Sequence, residues 1–247
     1  MGIRNWLDRK SKIGPEIVGM SAGGASLIKY GSRELDKNAV RFEEPNEELA
    51  HRREALYGEL FGVIEIVHHE LLILVPHIDV YQIAPTENRP FYTFVTGGMS
   101  DLPMAAPKKA RPEYRRVELV FYADSANAEY PNLLQHLAHF PHDNHSWLHW
   151  GHTMPNGNPP HPLFTTSTLD TLYFTASIVT PDNRLGQRLS WKNEAIHLVW
   201  VVPISTAECG LALQKGSDSL LDLFERVNHP FVFTGDRKSY VQEPLTN

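Results

Sequence analysis

A chain of 247 residues is long enough to bury a substantial core, and an apolar fraction of 42% excludes an intrinsically disordered protein. Its single cysteine excludes an internal disulfide and a cysteine-based zinc site, which favours a reducing compartment such as the cytoplasm. A formal net charge of -6 argues against nucleic acid as a partner, and no apolar run is long enough for a membrane span.

The N-terminal part of the chain contrasts with the rest. Residues 1–45 predict a flexible, poorly packed arm with at most a short strand at 26–30, because glycines interrupt them and few apolar positions are periodic. From Asn46, a residue type that caps helices, apolar residues recur at helical spacing until Gly62. This spacing predicts the first helix of the folded domain.

Strand and helix patterns then alternate along the chain. Apolar and β-branched runs predict strands at 63–67, 71–75, 77–83, 91–96, 116–123, 171–178, 195–202 and 231–234. Helical patterns lie at 131–140, 146–150, 206–214 and 218–227. A turn at 84–90 predicts a hairpin between two of the strands. We therefore expect an α+β fold, a mixed and largely antiparallel sheet flanked by helices, as one domain over 46–240 with a tail at 241–247.

Histidine is the unusual residue of this composition. Seven of the 13 histidines lie between His136 and His161, and spacings of three and four on a helix can place two imidazoles on one face for a divalent cation. On a predicted strand, His77 and Asp79 share one face, and with a distant histidine they would form a facial-triad iron site. Carboxylates are scarce in the histidine segment and Pro141 divides it, so we predict no metal and no cofactor. A metal-dependent enzyme using residues 136–161 with His77 and Asp79 is the alternative.

Several stretches resemble signatures of the suppressor-of-fused family. They are His-Ile-Asp-Val-Tyr at 77–81, Arg-Pro-Phe-Tyr-Thr at 89–93, Val-Thr-Gly-Gly-Met-Ser-Asp-Leu-Pro-Met at 95–104 and Trp-Gly-His-Thr at 150–153. The resemblance covers about residues 46–240, and the short chain looks like a bacterial single-domain member. It implies a non-enzymatic module that binds proteins. Animal members restrain a transcription factor by clasping an extended peptide between two domains, and bacterial members have been proposed, from their gene neighbourhoods, as immunity proteins against toxins.

The resemblance implies a protein partner, a toxin or a regulatory protein, and no membrane or nucleic acid. The tryptophans near residue 150 suit peptide capture in a groove or by strand addition, although they could equally fill the core. We predict that the partner is contacted by Arg89, Tyr92, Met99, Asp101, His142, Trp147, Trp150 and His152.

Overall fold

The computed structural model describes residues 16–29, 47–71, 74–107, 110 and 114–241. The helices are α1 (Glu47–Phe61), α2 (Glu129–Asp143), α3 (Thr206–Lys215) and α4 (Ser217–Arg226), with short 3-10 helices at Met99–Asp101 and Asp182–Gln187. The strands are β1 (Glu16–Met20), β2 (Ser26–Lys29), β3 (Ile64–His68), β4 (Asp79–Ile83), β5 (Tyr92–Gly97), β6 (Val117–Ala123), β7 (Thr153–Pro155), β8 (Thr171–Ala176), β9 (Ser190–Trp191), β10 (Glu194–Ala195) and β11 (His197–Ile204). In this part of the chain, no helix is long and apolar enough to cross a bilayer.

A seven-stranded sheet forms the centre of the fold, in the order β3-β4-β5-β6-β11-β8-β7. The β6–β11 pair is parallel, and the other neighbouring pairs are antiparallel. The predicted hairpin is present, with Val80 opposite Thr96 across β4 and β5. The predicted α+β class with a mixed, largely antiparallel sheet is therefore confirmed.

Helices cover both faces of this sheet. Because successive residues of a strand point to opposite faces, Phe121 of β6 packs in one core with α2, and Tyr122 packs in the other core with α1, α3 and α4. The second core also holds Cys209, which is 5% exposed. All seven residues of β6 are buried, which explains why this strand is apolar with little alternation in the sequence, except at Glu118.

Three predicted elements differ in the structure. Residues 146–150 form no helix, and the φ of 46° at His145 prevents the preceding helix from continuing into them. The helix before it runs on to Asp143 past Pro141, since a proline in the last turn removes only one hydrogen bond. The strand predicted at 231–234 is a single bridge between Ala123 and Phe233.

Two further predictions concern segments that the structure describes only in part. The strand expected at 71–75 is absent among its described residues 71, 74 and 75, which lie in the loop between β3 and β4. Residues 16–29 form a hairpin of β1 and β2, and Gly23 N–H donates to the Leu213 carbonyl oxygen at 2.8 Å. The rest of the predicted arm, the Asn46 cap and residues 242–247 lie outside the described residues.

We expect Gly98→Ala to destabilise the protein by about 2 kcal/mol or more, because Gly98 has a φ of 120° and a Cβ there would overlap the His77 carbonyl oxygen. The matched control is Gly58→Ala on the exposed face of α1, where a Cβ meets nothing within 4 Å. There the helix propensity of alanine should stabilise the protein by less than about 1 kcal/mol. Urea unfolding of both variants measures the difference. Equal changes in the free energy of unfolding would contradict the crowded, positive-φ conformation of Gly98.

Candidate functional site

The Gly-Met-Ser-Asp turn after β5 is organised around a buried carboxylate. Glu118 of β6 has no exposed surface and accepts hydrogen bonds from Ser100 Oγ at 2.6 Å, Thr96 Oγ1 at 2.7 Å and the Gly98 N–H at 3.1 Å. Burial raises the pKa of Glu118, and Arg53 of α1 offsets this effect from 3.3 Å. The network thus fastens both α1 and the turn to the central strand.

Three of the predicted partner residues meet at this turn. Asp101 pairs with Arg53 at 2.7 Å, and the Met99 side chain is fully buried in the core beside α2. His142 Nε2 donates to the Met99 carbonyl oxygen at 3.1 Å, and burial lowers the pKa of His142 to about 4. The structure therefore brings Met99, Asp101 and His142 together through contacts inside the protein.

Arg89 belongs to a second internal network. Its guanidinium donates to both carboxylate oxygens of Asp182, at 2.9 and 3.0 Å, and to Thr93 Oγ1 at 2.8 Å. Tyr122 donates to the same carboxylate at 2.7 Å, and burial together with Asp182 raises the pKa of Tyr122 well above its usual value. Arg89 thus anchors the Asp182–Gln187 helix to the sheet. Tyr92, also a predicted site residue, is half-buried and stacks on Phe94 at 6.4 Å between ring centroids.

The other predicted residues lie in a cluster of rings that reaches solvent. We call Tyr114, Trp147, His149, Trp150 and His152 the aromatic surface. Ring centroids are 3.6 Å apart for Tyr114 and His149, 4.6 Å for His149 and Trp150, and 4.7 Å for Trp147 and His152. Trp150 is 41% exposed, whereas His149 is buried.

Two members of the aromatic surface were missed by the sequence interpretation. Tyr114 is more than thirty positions away from the tryptophans in the chain, and no local pattern links it to them. His149 was counted as a candidate metal ligand, but its ring packs between Tyr114 and Trp150. Burial lowers its pKa to about 4, so this ring stays neutral inside the cluster at neutral pH.

A second exposed apolar feature lies around β3, which is an edge strand of the described sheet. Ile66 on this strand is 44% exposed, Val63 just before the strand is 80% exposed, and Leu71 three residues after it is 96% exposed. We call this feature the β3 edge. Edge strands can pair with an extended segment of another chain, so it is an alternative place for a partner.

Among the described residues, the histidines of segment 136–161 do not form a cluster that could hold a cation. His136 contacts the Asn132 carbonyl oxygen, and His139 pairs with Glu70 at 2.6 Å. The described side chains placed to share a cation are instead His69, His77 and Asp79. The ligand set of the alternative, residues 136–161 with His77 and Asp79, is therefore not assembled.

The fold and these networks define an α+β protein with a central mixed sheet, and comparison with known proteins identifies its family. The model of the suppressor of fused protein family matches residues 75–238, so the chain belongs to this family. No curated protein matches the chain.

Two of the solved structures that match this chain illustrate the shared fold. One is of a protein described as a suppressor of fused homolog from Neisseria gonorrhoeae, with a TM-score of 0.60 and 14% identity over 80% of this chain and 100% of that chain. The other is a chain of the Sufu–Fu complex, with a TM-score of 0.53 and 15% identity over 78% of this chain and 90% of that chain.

We expect Arg89→Ala to cost about 3 to 5 kcal/mol of unfolding free energy, because it leaves the fully buried Asp182 carboxylate without its cation. Arg188→Ala is the control, since Arg188 pairs with Glu59 at 2.6 Å on the exposed surface, where solvent screens the pair, and its loss should change the free energy of unfolding far less. Chemical denaturation of the two variants checks this difference. Equal losses would show that the Asp182 pair is not a structural anchor.

We expect His149→Phe to make the protein less sensitive to acid. Burial lowers the pKa of His149 to about 4, below the ordinary histidine value of about 6.5. As the pH falls below about 6.5, protons therefore bind His149 in the unfolded chain in preference to the folded chain, and the free energy of unfolding decreases. Phenylalanine keeps the ring but removes this effect, so the variant should lose about 2 kcal/mol less than the parent between pH 7 and pH 5. Urea unfolding at both pH values measures the loss. The exposed His136→Phe serves as control, and identical losses for all three proteins would refute the expectation.

Proposed function

We propose that this chain is a non-enzymatic protein-binding module that binds and restrains a protein partner. The observation that carries the proposal is membership of the suppressor of fused family over residues 75–238, in a chain that also exposes an aromatic surface. This chain shares its fold with a chain of the Sufu–Fu complex, in which Sufu is bound to another protein.

The aromatic surface is the part of the molecule best suited to hold a partner. Tryptophan, tyrosine and arginine dominate binding energy at protein interfaces, because large rigid rings bury much area at little entropic cost. Trp150 is 41% exposed and is backed by the buried His149, while the exposed Arg115 follows Tyr114 in the chain. We assign Trp147, Trp150 and His152 as partner contacts, with Tyr114 added to them.

The remaining predicted residues act through the framework in this proposal. Arg89, Asp101 and His142 hold neighbouring elements together, and Met99 and Tyr92 pack against the α2 face of the sheet. Their substitution would weaken a complex by destabilising the fold. Stability measurements separate this indirect effect from the loss of a contact.

We further propose a bacterial cytoplasmic immunity protein that neutralises a toxin, with a regulatory partner as the second possibility. The support is that the similarity extends over the whole chain of the Neisseria gonorrhoeae homolog. In this proposal the partner is held on an open surface of the described domain. The aromatic surface meets this requirement.

The test is co-expression with the products of adjacent genes, followed by co-purification and measurement of affinity. We expect Trp150→Ala to weaken the complex about 30-fold, the equivalent of a 2 kcal/mol hot spot. Leu221→Ala on α4 is the matched control, because Leu221 is also 41% exposed and should have no effect. If the neighbour is a toxin, growth should be restored by co-expression of the parent chain.

Two outcomes would overturn parts of the proposal. Sensitivity to Ile66→Ala without sensitivity to Trp150→Ala would move the interface to the β3 edge. Failure of every neighbouring product to form a complex, with toxicity unchanged by co-expression, would refute the immunity role.

A further inference from the structure

Three side chains that the networks above do not use come together where the loop between β3 and β4 meets the two strands. His69 Nδ1 lies 3.1 Å from Asp79 Oδ2, and His77 Nε2 lies 3.2 Å from Asp79 Oδ1. One ligand atom from each residue lies within 4.8 Å of the others. We propose that His69, His77 and Asp79 form a binding site for a divalent transition-metal cation of the zinc class.

The spacing of the ligand atoms fits such a cation. Zinc bonds to histidine nitrogen and carboxylate oxygen are 2.0 to 2.2 Å long, and tetrahedral geometry then places two ligand atoms about 3.3 Å apart. The two nitrogen-to-oxygen separations, one to each carboxylate oxygen of Asp79, are close to this edge length. Small side-chain rotations would therefore admit the cation.

The donor set specifies the kind of cation. Two imidazoles and one carboxylate suit zinc and its neighbours, and they disfavour magnesium and calcium, which prefer oxygen ligands. Three protein ligands leave a fourth position open, and the side chain of His69 is 68% exposed, so solvent can reach the site.

A supporting layer of side chains orients the ligands. The Glu70 carboxylate lies 3.7 Å from His77 Nδ1, on the side of the ring opposite Asp79, which favours a proton on Nδ1 and leaves Nε2 free to bind a cation. Glu70 itself is held by His139 of α2 at 2.6 Å and by the Ile78 N–H at 3.2 Å. Its own N–H donates to Asp79 Oδ1 at 3.3 Å.

The strand register makes the arrangement reproducible. His68 pairs with Val80 across the antiparallel β3 and β4. The residue after His68 therefore lies opposite the residue before Val80. His69 and Asp79 are those residues. A bound cation would tie the two ends of this loop to each other.

The test uses untagged full-length protein treated with a chelator and titrated with zinc alone by calorimetry. We expect one equivalent of zinc to bind, and at least a tenfold loss of affinity in His69→Ala and in Asp79→Asn. Glu70→Gln should lose about tenfold by disturbing the supporting layer. Cobalt(II) substituted for zinc should give the absorption bands of tetrahedral nitrogen and oxygen coordination, and the variants should lose them.

His136→Ala is the control, because His136 is exposed and contacts the backbone of its own helix. Its zinc affinity should equal that of the parent chain, and circular dichroism verifies that each variant is folded. Absence of zinc binding in the parent, or equal affinity in folded His69→Ala and Asp79→Asn variants, would overturn the site. The result is independent of the proposed partner, since Trp150→Ala should bind zinc normally.

Discussion

A charge buried in the central strand dictates how the surrounding elements pack. Glu118 has no exposed surface, and an unsatisfied carboxylate in such a place would cost several kcal/mol. Arg53 supplies the opposite charge from α1, and the Gly98 and Ser100 N–H groups approach from the turn after β5. Helix, turn and strand must therefore come together at once, and this turn carries the Met-Ser-Asp part of the family signature.

The elements of the sheet were largely predictable, because their signal is local. Alternating and β-branched residues placed β4 and β5, and the turn between them specified their pairing. Long-range contacts left no such signal: Arg53 and Glu118 are 65 positions apart, and no spacing rule connects them. The helix expected at 146–150 is absent, and the left-handed conformation of His145, which separates these residues from the preceding helix, has no signal in the sequence pattern.

Site residues that are close together in the sequence were predictable, and those brought in from distant segments were not. Trp147, Trp150 and His152 fall within one short segment, and the structure places their rings together, whereas Tyr114 reaches them only through the fold. The pairing of His77 with Asp79 follows from the two-residue period of a strand. Their histidine companion, His69, could not be selected in advance, since only the register of β3 against β4 brings it close.

The position of Cys209 has a practical consequence for studying this protein. It is the only cysteine of the chain, it is 5% exposed within the core, and burial raises the pKa of its thiol. A protonated, shielded thiol reacts slowly with maleimides and oxidants. Cysteines introduced near Trp150 or in the β3–β4 loop can therefore carry fluorophores or spin labels selectively, with the native residue left in place.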